Sequence, residues 1–271
     1  MAFTRATLLL GAALVLGSAQ GASAADLGNY GGGSLKDGPM AMPGQAGAPS
    51  WYARVDGGYS VFDDPSMTEA GIYDLTETSI DSTWSFGGGV GRYFGNGFRG
   101  DLTWDHRFEA DAEGNLADHY ATLAGVRKFG IKSDVFLANL YYDFNEGSRF
   151  SPYLGVGLGV TRNKTTRGTV ETCGCTGGEI DEGSDTHVAG AAMAGLSYRL
   201  RGNDYDANGA RGGGSSRNLY LDAGYRFLYL GSVETGAITE TTPVPTPVAE
   251  DPTVDAIHAH EFRIGLRYDL N

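Results

Sequence analysis

The stretch His258–Leu270, HAHEFRIGLRYDL, alternates between apolar and polar side chains. Every second residue from Phe262 to Leu270 is apolar, and the alternate positions, counted from Glu261, hold four charged residues and one glycine. A period of two predicts a β-strand, because successive side chains point to opposite faces. A charged face opposite an apolar face with aromatic residues near both ends is typical of a membrane β-barrel strand, where lipid lies outside and polar groups lie inside.

The composition agrees with an exported protein built from sheet. The 271 residues include 43 Gly and 15 Tyr, which suit tight turns and aromatic girdles. The apolar run Leu8–Leu16 follows Arg5 and is too short to span a membrane. With the Ala-Ser-Ala sequence that ends at Ala24, it predicts a cleaved secretory signal peptide over residues 1–24. Residues 25–50, rich in Gly, Ala and Pro, predict a flexible periplasmic leader.

Eight segments of the remaining chain have the alternation and the approximate length of a membrane-spanning strand. They are Trp51–Phe62, Thr83–Phe94, Phe98–Phe108, Val135–Asn145, Tyr153–Arg162, His187–Leu200, Leu219–Gly231 and His258–Leu270. The sequence therefore predicts an all-β fold over residues 51–271, an eight-stranded antiparallel up-and-down transmembrane β-barrel. Closure removes the unpaired strand edges that lipid does not solvate.

The connections between these segments alternate in length. Gly95-Asn96-Gly97 predicts a tight turn. Four long connections are predicted to be extracellular loops, namely 63–81, 109–134, 163–186 and 232–256, although Tyr120–Phe129 could extend a neighbouring strand. Long outer loops and short inner turns place both ends of the barrel domain in the periplasm. A Gly-rich connector at 201–217 is longer than expected on the inner side.

The inward positions of these strands hold as many basic as acidic residues. This predicted interior charge network consists of Arg54, Asp56, Arg99, Asp101, Asp105, Arg107, Asp143, Arg199, Asp222, Arg226, Glu261, Arg263, Arg267 and Asp269. Charges removed from water need partners, and guanidinium–carboxylate pairs supply both charge and directed hydrogen bonds. Gly155, Gly157 and Gly159 leave room for long side chains, and eight strands enclose only enough space for side chains to fill. The sequence predicts a plugged interior rather than an open pore.

The chain has a formal charge of −13, and each of the four long connections contains more acidic than basic residues. The sequence therefore predicts an acidic extracellular surface. Outer-membrane lipids and lipopolysaccharide are the expected partners, and the lipopolysaccharide phosphates would repel this surface unless divalent cations bridge the two. A solvated, variable loop surface is the favoured interpretation over a specific cation site. No nucleic-acid partner is expected.

Two side-chain pairs invite a chemical interpretation. Cys173 and Cys175 are predicted to form a loop disulfide or to remain a free pair, although a Cys-x-Cys ring is small and strained. His258 and His260 share a strand face, but no third ligand has matching spacing. We expect these histidines at the outer rim of the lipid-facing band, and we expect no metal.

Catalysis is not indicated by any spacing in the chain. Gly-Val-Gly-Leu-Gly, at 155–159, resembles a phosphate loop, but the glycines keep the period of a strand and no helix follows. His106 and His119 have no nearby nucleophile or carboxylate at a spacing that marks a hydrolase. We expect no cofactor and no enzyme, and a lipid A deacylation or acyl-transfer assay would test the alternative.

Six motifs resemble the alphaproteobacterial outer-membrane surface-antigen and porin family, the 25/31-kilodalton type with an OmpA-like barrel. They are SLKD (34–37), WYARVDGGY (51–59), YYDF (141–144), PYLGVGLG (152–159), DAGYRF (222–227) and HEFRIGLRY (260–268). The resemblance implies a major surface protein that maintains envelope integrity and acts as an antigen, with some members acting as porins. It implies localisation in the bacterial outer membrane.

The chain departs from this family at its end. Such barrels usually finish on an aromatic residue that the barrel-insertion machinery recognises in the last strand. Here Tyr268 is the last aromatic, and Asn271 follows Leu270. Either insertion is less efficient, or the machinery reads the signal from Tyr268.

Three functions remain open from the sequence. The first is a structural barrel that stabilises the envelope and presents acidic loops outside. The second is a narrow porin for small solutes or ions, which conductance in planar bilayers would reveal. The third is an adhesin that acts through its loops, which loop deletion with intact barrel assembly would test.

Overall fold

The computed structural model describes residues 51–69, 73–116, 125–145, 148–172, 175–201, 217–240, 246–248 and 252–270. These residues contain seventeen β-strands. The strands are β1 (Trp51–Phe62), β2 (Ser66–Glu69), β3 (Tyr73–Asp74), β4 (Thr76–Ile80), β5 (Thr83–Gly95), β6 (Phe98–Leu116), β7 (Gly125–Asp143), β8 (Phe150–Thr165), β9 (Gly168–Thr172), β10 (Cys175–Ile180), β11 (Ser184–Arg201), β12 (Leu219–Tyr229), β13 (Val233–Glu234), β14 (Ile238–Glu240), β15 (Thr246–Val248), β16 (Pro252–Asp255) and β17 (His258–Asp269).

Eight long strands close into an antiparallel barrel in the order β1-β5-β6-β7-β8-β11-β12-β17. Closure is visible at β1, where Val55 faces Leu266 of β17 on one side and Gly88 of β5 on the other. The predicted eight-stranded antiparallel barrel is confirmed, and each predicted strand lies within or close to one of these eight. Within the described residues, no helix is long and apolar enough to cross a membrane.

The two ends of the barrel differ in their connections. At one end, which we call the short-turn end, lie the start of β1, the end of β17 and the turn between β5 and β6. In this turn Asn96 and Gly97 have φ angles of 54° and 82°, the left-handed values that a two-residue hairpin turn requires. The tight turn predicted there is confirmed. The opposite end, the long-connection end, holds β2–β4, β9, β10 and β13–β16.

An exposed apolar band surrounds the barrel. On β8 the outward side chains from Phe150 to Val160 are apolar, and Leu158 is 66% exposed. Ten residues of a strand tilted by about 40° rise about 25 Å, the height of the lipid-facing band of outer-membrane barrels. Aromatic side chains lie at both margins of the band, with Phe98 and Tyr142 at one and Trp84 and Tyr59 at the other. The barrel exterior is therefore built to face lipid.

The polarity of β6 and β7 reverses above this band. On β6, Trp104 and Phe108 point outward, whereas beyond a bulge between Arg107 and Ala110 the buried inward residues are Ala110 and Ala112. Polar side chains then face outward and apolar ones inward, which is the pattern of a sheet in water. The reversal marks the level at which the strand leaves the lipid.

The sequence interpretation of the long connections was wrong in one respect. Residues 109–116 and 130–134, predicted as a polar loop, continue β6 and β7, and the predicted loops at 63–81, 163–186 and 232–256 also contain strands. Residues 125–129 lie in β7, which agrees with the alternative that residues 120–129 extend a neighbouring strand. The added strands extend the barrel sheet in the order β15-β14-β10-β9-β7, place β4 beside β6, and form a small second sheet, β13-β16-β2-β3. Burial of apolar side chains explains these strands, because a sheet that covers a core satisfies its backbone hydrogen bonds at the same time.

Several predicted segments lie outside the described residues. They are the signal peptide over 1–24, the leader over 25–50 and most of the connector at 201–217. These assignments remain predictions.

Candidate functional site: the barrel interior

The centre of the barrel holds a layer of ion pairs around one carboxylate. Glu261 of β17 accepts hydrogen bonds from Arg107 at 2.6 Å and from Arg226 at 2.7 Å. Ser60 and Ser85 also donate to Glu261 Oε2, at 3.0 and 3.1 Å. None of these side chains is open to solvent, since Arg107, Arg226 and Glu261 are each exposed by 1% or less. A charge buried this deeply persists because donors and counter-ions contact both oxygens of the carboxylate.

The same layer is joined across the lumen. Arg226 Nη1 of β12 donates to Asp105 Oδ2 of β6 at 2.7 Å, and Arg263 Nη2 of β17 donates to Asp105 Oδ1 at 2.9 Å. In the closed order of strands, β12 and β6 are four strands apart in either direction and are therefore opposite walls. One pair of side chains thus spans the interior from wall to wall.

A second group of charges lies closer to the short-turn end. Arg54 binds both oxygens of Asp56, at 2.8 and 2.6 Å, and donates to Asp101 and to the Tyr141 hydroxyl at 3.2 Å each. Arg263 lies 3.3 Å from Asp56 and links this group to the central layer. The bidentate contact with Asp56 fixes the plane of the Arg54 guanidinium, so Asp56 both neutralises this group and sets its orientation.

Tyrosine rings close the network at the short-turn end. Arg99 pairs with Asp143 at 2.9 Å and lies over the rings of Tyr141 and Tyr153, with its guanidinium carbon 4.1 and 5.1 Å from the two centroids. Arg267 pairs with Asp222 at 2.9 Å and lies 4.3 Å from the Tyr220 centroid. Cation–π contacts of this kind strengthen when the cation is shielded from water.

The structure places all fourteen residues of the predicted interior network on the inward face. Twelve are buried and two, Asp143 and Arg263, are half-buried. Arg199 is buried. Asp269 accepts hydrogen bonds from the Tyr93 hydroxyl at 2.9 Å and from Asn218 at 2.8 Å. Tyr93 and Asn218 were not among the interior residues predicted from the sequence. Their only sequence signal was an inward position, Tyr93 on β5 and Asn218 just before β12.

Glycines make room for these side chains on the neighbouring strands. A Cβ at Gly157 would overlap the Asn139 amide oxygen, and one at Gly155 would overlap the Tyr141 ring. At Gly159 the overlap is with the backbone oxygen of Phe136. Gly155 and Gly157 therefore lie where larger side chains of β7 occupy the lumen, and Gly159 lies where the β7 backbone approaches closely.

An apolar layer extends from the level of Asp105, where Val135 lies beside it on β7, to the long-connection end. Its members are buried and point inward from the barrel strands or from the added sheets. They are Met67, Leu75, Ile80, Ala110, Ala112, Phe129, Ile131, Val135, Leu137, Val170, Ile180, Ala189, Leu228, Leu230, Val233, Ile238, Val254, Ile257 and Ala259. The sequence reasoning missed this layer, although the inverted alternation after Arg107 was a signal for it.

One buried polar side chain ties this layer to the barrel wall. The Asn163 amide nitrogen donates to the backbone oxygens of Leu230 and Ser232 at 2.8 and 3.1 Å, and its oxygen accepts from Ser133 and Thr161. Because every hydrogen-bonding group of the amide has a partner, Asn163 is stable inside an apolar surrounding. It connects β7 and β8 with the chain that leaves β12.

The remaining predicted sites are placed as follows. His258 and His260 lie half-buried above the apolar band, where His260 contacts Asp63 at 3.1 Å and the Tyr225 hydroxyl at 2.6 Å. Across the described part of the chain, no group of three His, Cys, Asp or Glu side chains is arranged to hold a metal ion. Cys173 lies outside the described residues, and Cys175 is the first residue of β10, so the predicted loop disulfide stays a prediction.

The chain is similar to several known bacterial proteins. Residues 98–212 match the model of the Opacity family porin protein. An uncharacterized protein of Brucella abortus (strain 2308) is 28% identical over 268 residues, covering 86% of this chain and 88% of the relative. A putative adhesin of Rickettsia bellii (strain OSU 85-389) is 29% identical over 123 residues, which is 44% of this chain and 50% of the relative.

Two solved structures have similar folds at low identity. The outer membrane protein OprG of Pseudomonas aeruginosa has a TM-score of 0.48 and 14% identity, covering 82% of this chain and 97% of OprG. Neisserial surface protein A has a TM-score of 0.42 and 17% identity, covering 81% of this chain and 97% of that protein. With a closed barrel, a lipid-facing band and a porin-family match, this chain is a bacterial outer-membrane β-barrel protein.

Proposed function

We propose that the protein is a structural barrel of the outer membrane, with a sealed interior, that maintains envelope integrity and presents a folded acidic surface outside the cell. The long-connection end is the extracellular end in this proposal. The observation that carries it is the contact between Arg226 and Asp105, whose side chains meet from opposite walls of the lumen. The assignment to the 25/31-kilodalton surface-antigen family, made from sequence motifs, is part of the same proposal.

Two stacked layers support the sealed interior. The charged layer fills the section that crosses lipid, and the apolar layer covers it at the long-connection end. An ion that crossed the barrel would have to displace paired charges and then pass through packed hydrocarbon, and each step is unfavourable. A diffusion pore requires a continuous water-filled polar path through the barrel. The paired charges and the packed apolar side chains both interrupt such a path.

Conductance in planar bilayers tests the sealed interior. The full mature chain, refolded and checked by its shift in gel migration on heating, is expected to give no regular single-channel steps. Steps of constant size in most insertions would favour the narrow porin, which the family name of the matching model supports. A deletion strain that becomes sensitive to detergent, and recovers when the gene is restored, tests the structural role separately.

Adhesion is a second candidate, and a specific observation favours it. The added strands give the long-connection end a folded surface with its own apolar core, which is able to hold a fixed shape for recognition. The putative adhesin of Rickettsia bellii is similar over 123 residues. Replacing residues 109–134 by a short turn, in a variant that still migrates as a barrel, would abolish binding to host cells if this surface is an adhesin.

A further inference from the structure

We draw no further inference here: the strongest candidate, the groove on the outward face of β6, β7 and β9 that Glu109, Asp111 and Glu113 line, is a cluster of acidic side chains, and nothing else among the described residues points to a ligand that binds there.

Discussion

Arg226 of β12 and Asp105 of β6 meet across the whole width of the barrel, with Nη1 and Oδ2 2.7 Å apart. Neither strand is a neighbour of the other, so this contact joins opposite walls through the lumen. Asp105 also accepts from Arg263, and Arg226 also donates to Glu261. The contact therefore belongs to a network in which loss of one carboxylate leaves two guanidinium groups with fewer partners.

Asp105→Ala should destabilise the barrel by about 3–5 kcal/mol, because it removes one partner of a buried pair and leaves Arg226 and Arg263 undercompensated. The free energy of unfolding in urea, followed by tryptophan fluorescence in lipid vesicles, measures the change. Asp111→Ala is the matched control, since Asp111 lies on the same strand but is exposed. A loss below about 1 kcal/mol at Asp105 would contradict the paired interior.

Combined substitution tests the two layers of the seal. Removing the ionic layer with Arg107→Ala, Arg226→Ala and Glu261→Ala should leave the barrel non-conducting, because Leu228, Leu230 and their neighbours still cover it at the long-connection end. Adding Leu228→Ser and Leu230→Ser should produce conductance, because water enters a polar path but stays out of a packed apolar one. Single-channel recording of samples that retain heat-dependent gel migration makes the measurement. Conductance in the triple variant alone would show that the apolar layer does not seal.

Two glycines on adjacent strands should respond differently to the same substitution. A Cβ at Gly159 would overlap the backbone oxygen of Phe136, whereas a Cβ at Gly190 meets nothing within 4 Å. Gly159→Ala should cost about 1–3 kcal/mol, because backbone has to move, while Gly190→Ala should change stability by about 0.5 kcal/mol or less. Urea unfolding of the two variants compares them directly. Equal losses would mean that close approach at Gly159 is not required.

The apolar layer should govern the order of the long-connection end. Phe129 is 4% exposed and belongs to this layer, so Phe129→Ala should remove about 3–5 kcal/mol of packing. We expect faster amide hydrogen exchange in residues 109–116 and 125–131, with slow exchange kept in the lipid-spanning part of β6 and β7. Lys128→Ala, at the adjacent half-buried position that faces outward, is the control and should leave exchange slow. If the amides of residues 109–116 and 125–131 exchanged equally slowly in both variants, Phe129 would not be required for the order of the apolar layer.

Local alternation was enough to predict the barrel strands. The face that each of Arg54, Asp101 and Glu261 occupies follows from a period of two, since a side chain's direction depends only on its position along its own strand. The long connections were harder, because the bulge between Arg107 and Ala110 shifts the period by one residue and reverses the meaning of each position. Polar residues then point into water, and the same composition resembles a loop.

The sequence by itself determined the number of strands, their order around the barrel and the inward position of the charges, because these depend on local periodicity and connection length. Only the tertiary structure decided that Arg226 meets Asp105, that Glu261 serves both Arg107 and Arg226, and that an apolar layer covers them. Such contacts depend on the relative register of strands far apart in the chain, which closure of the sheet fixes and no single segment encodes.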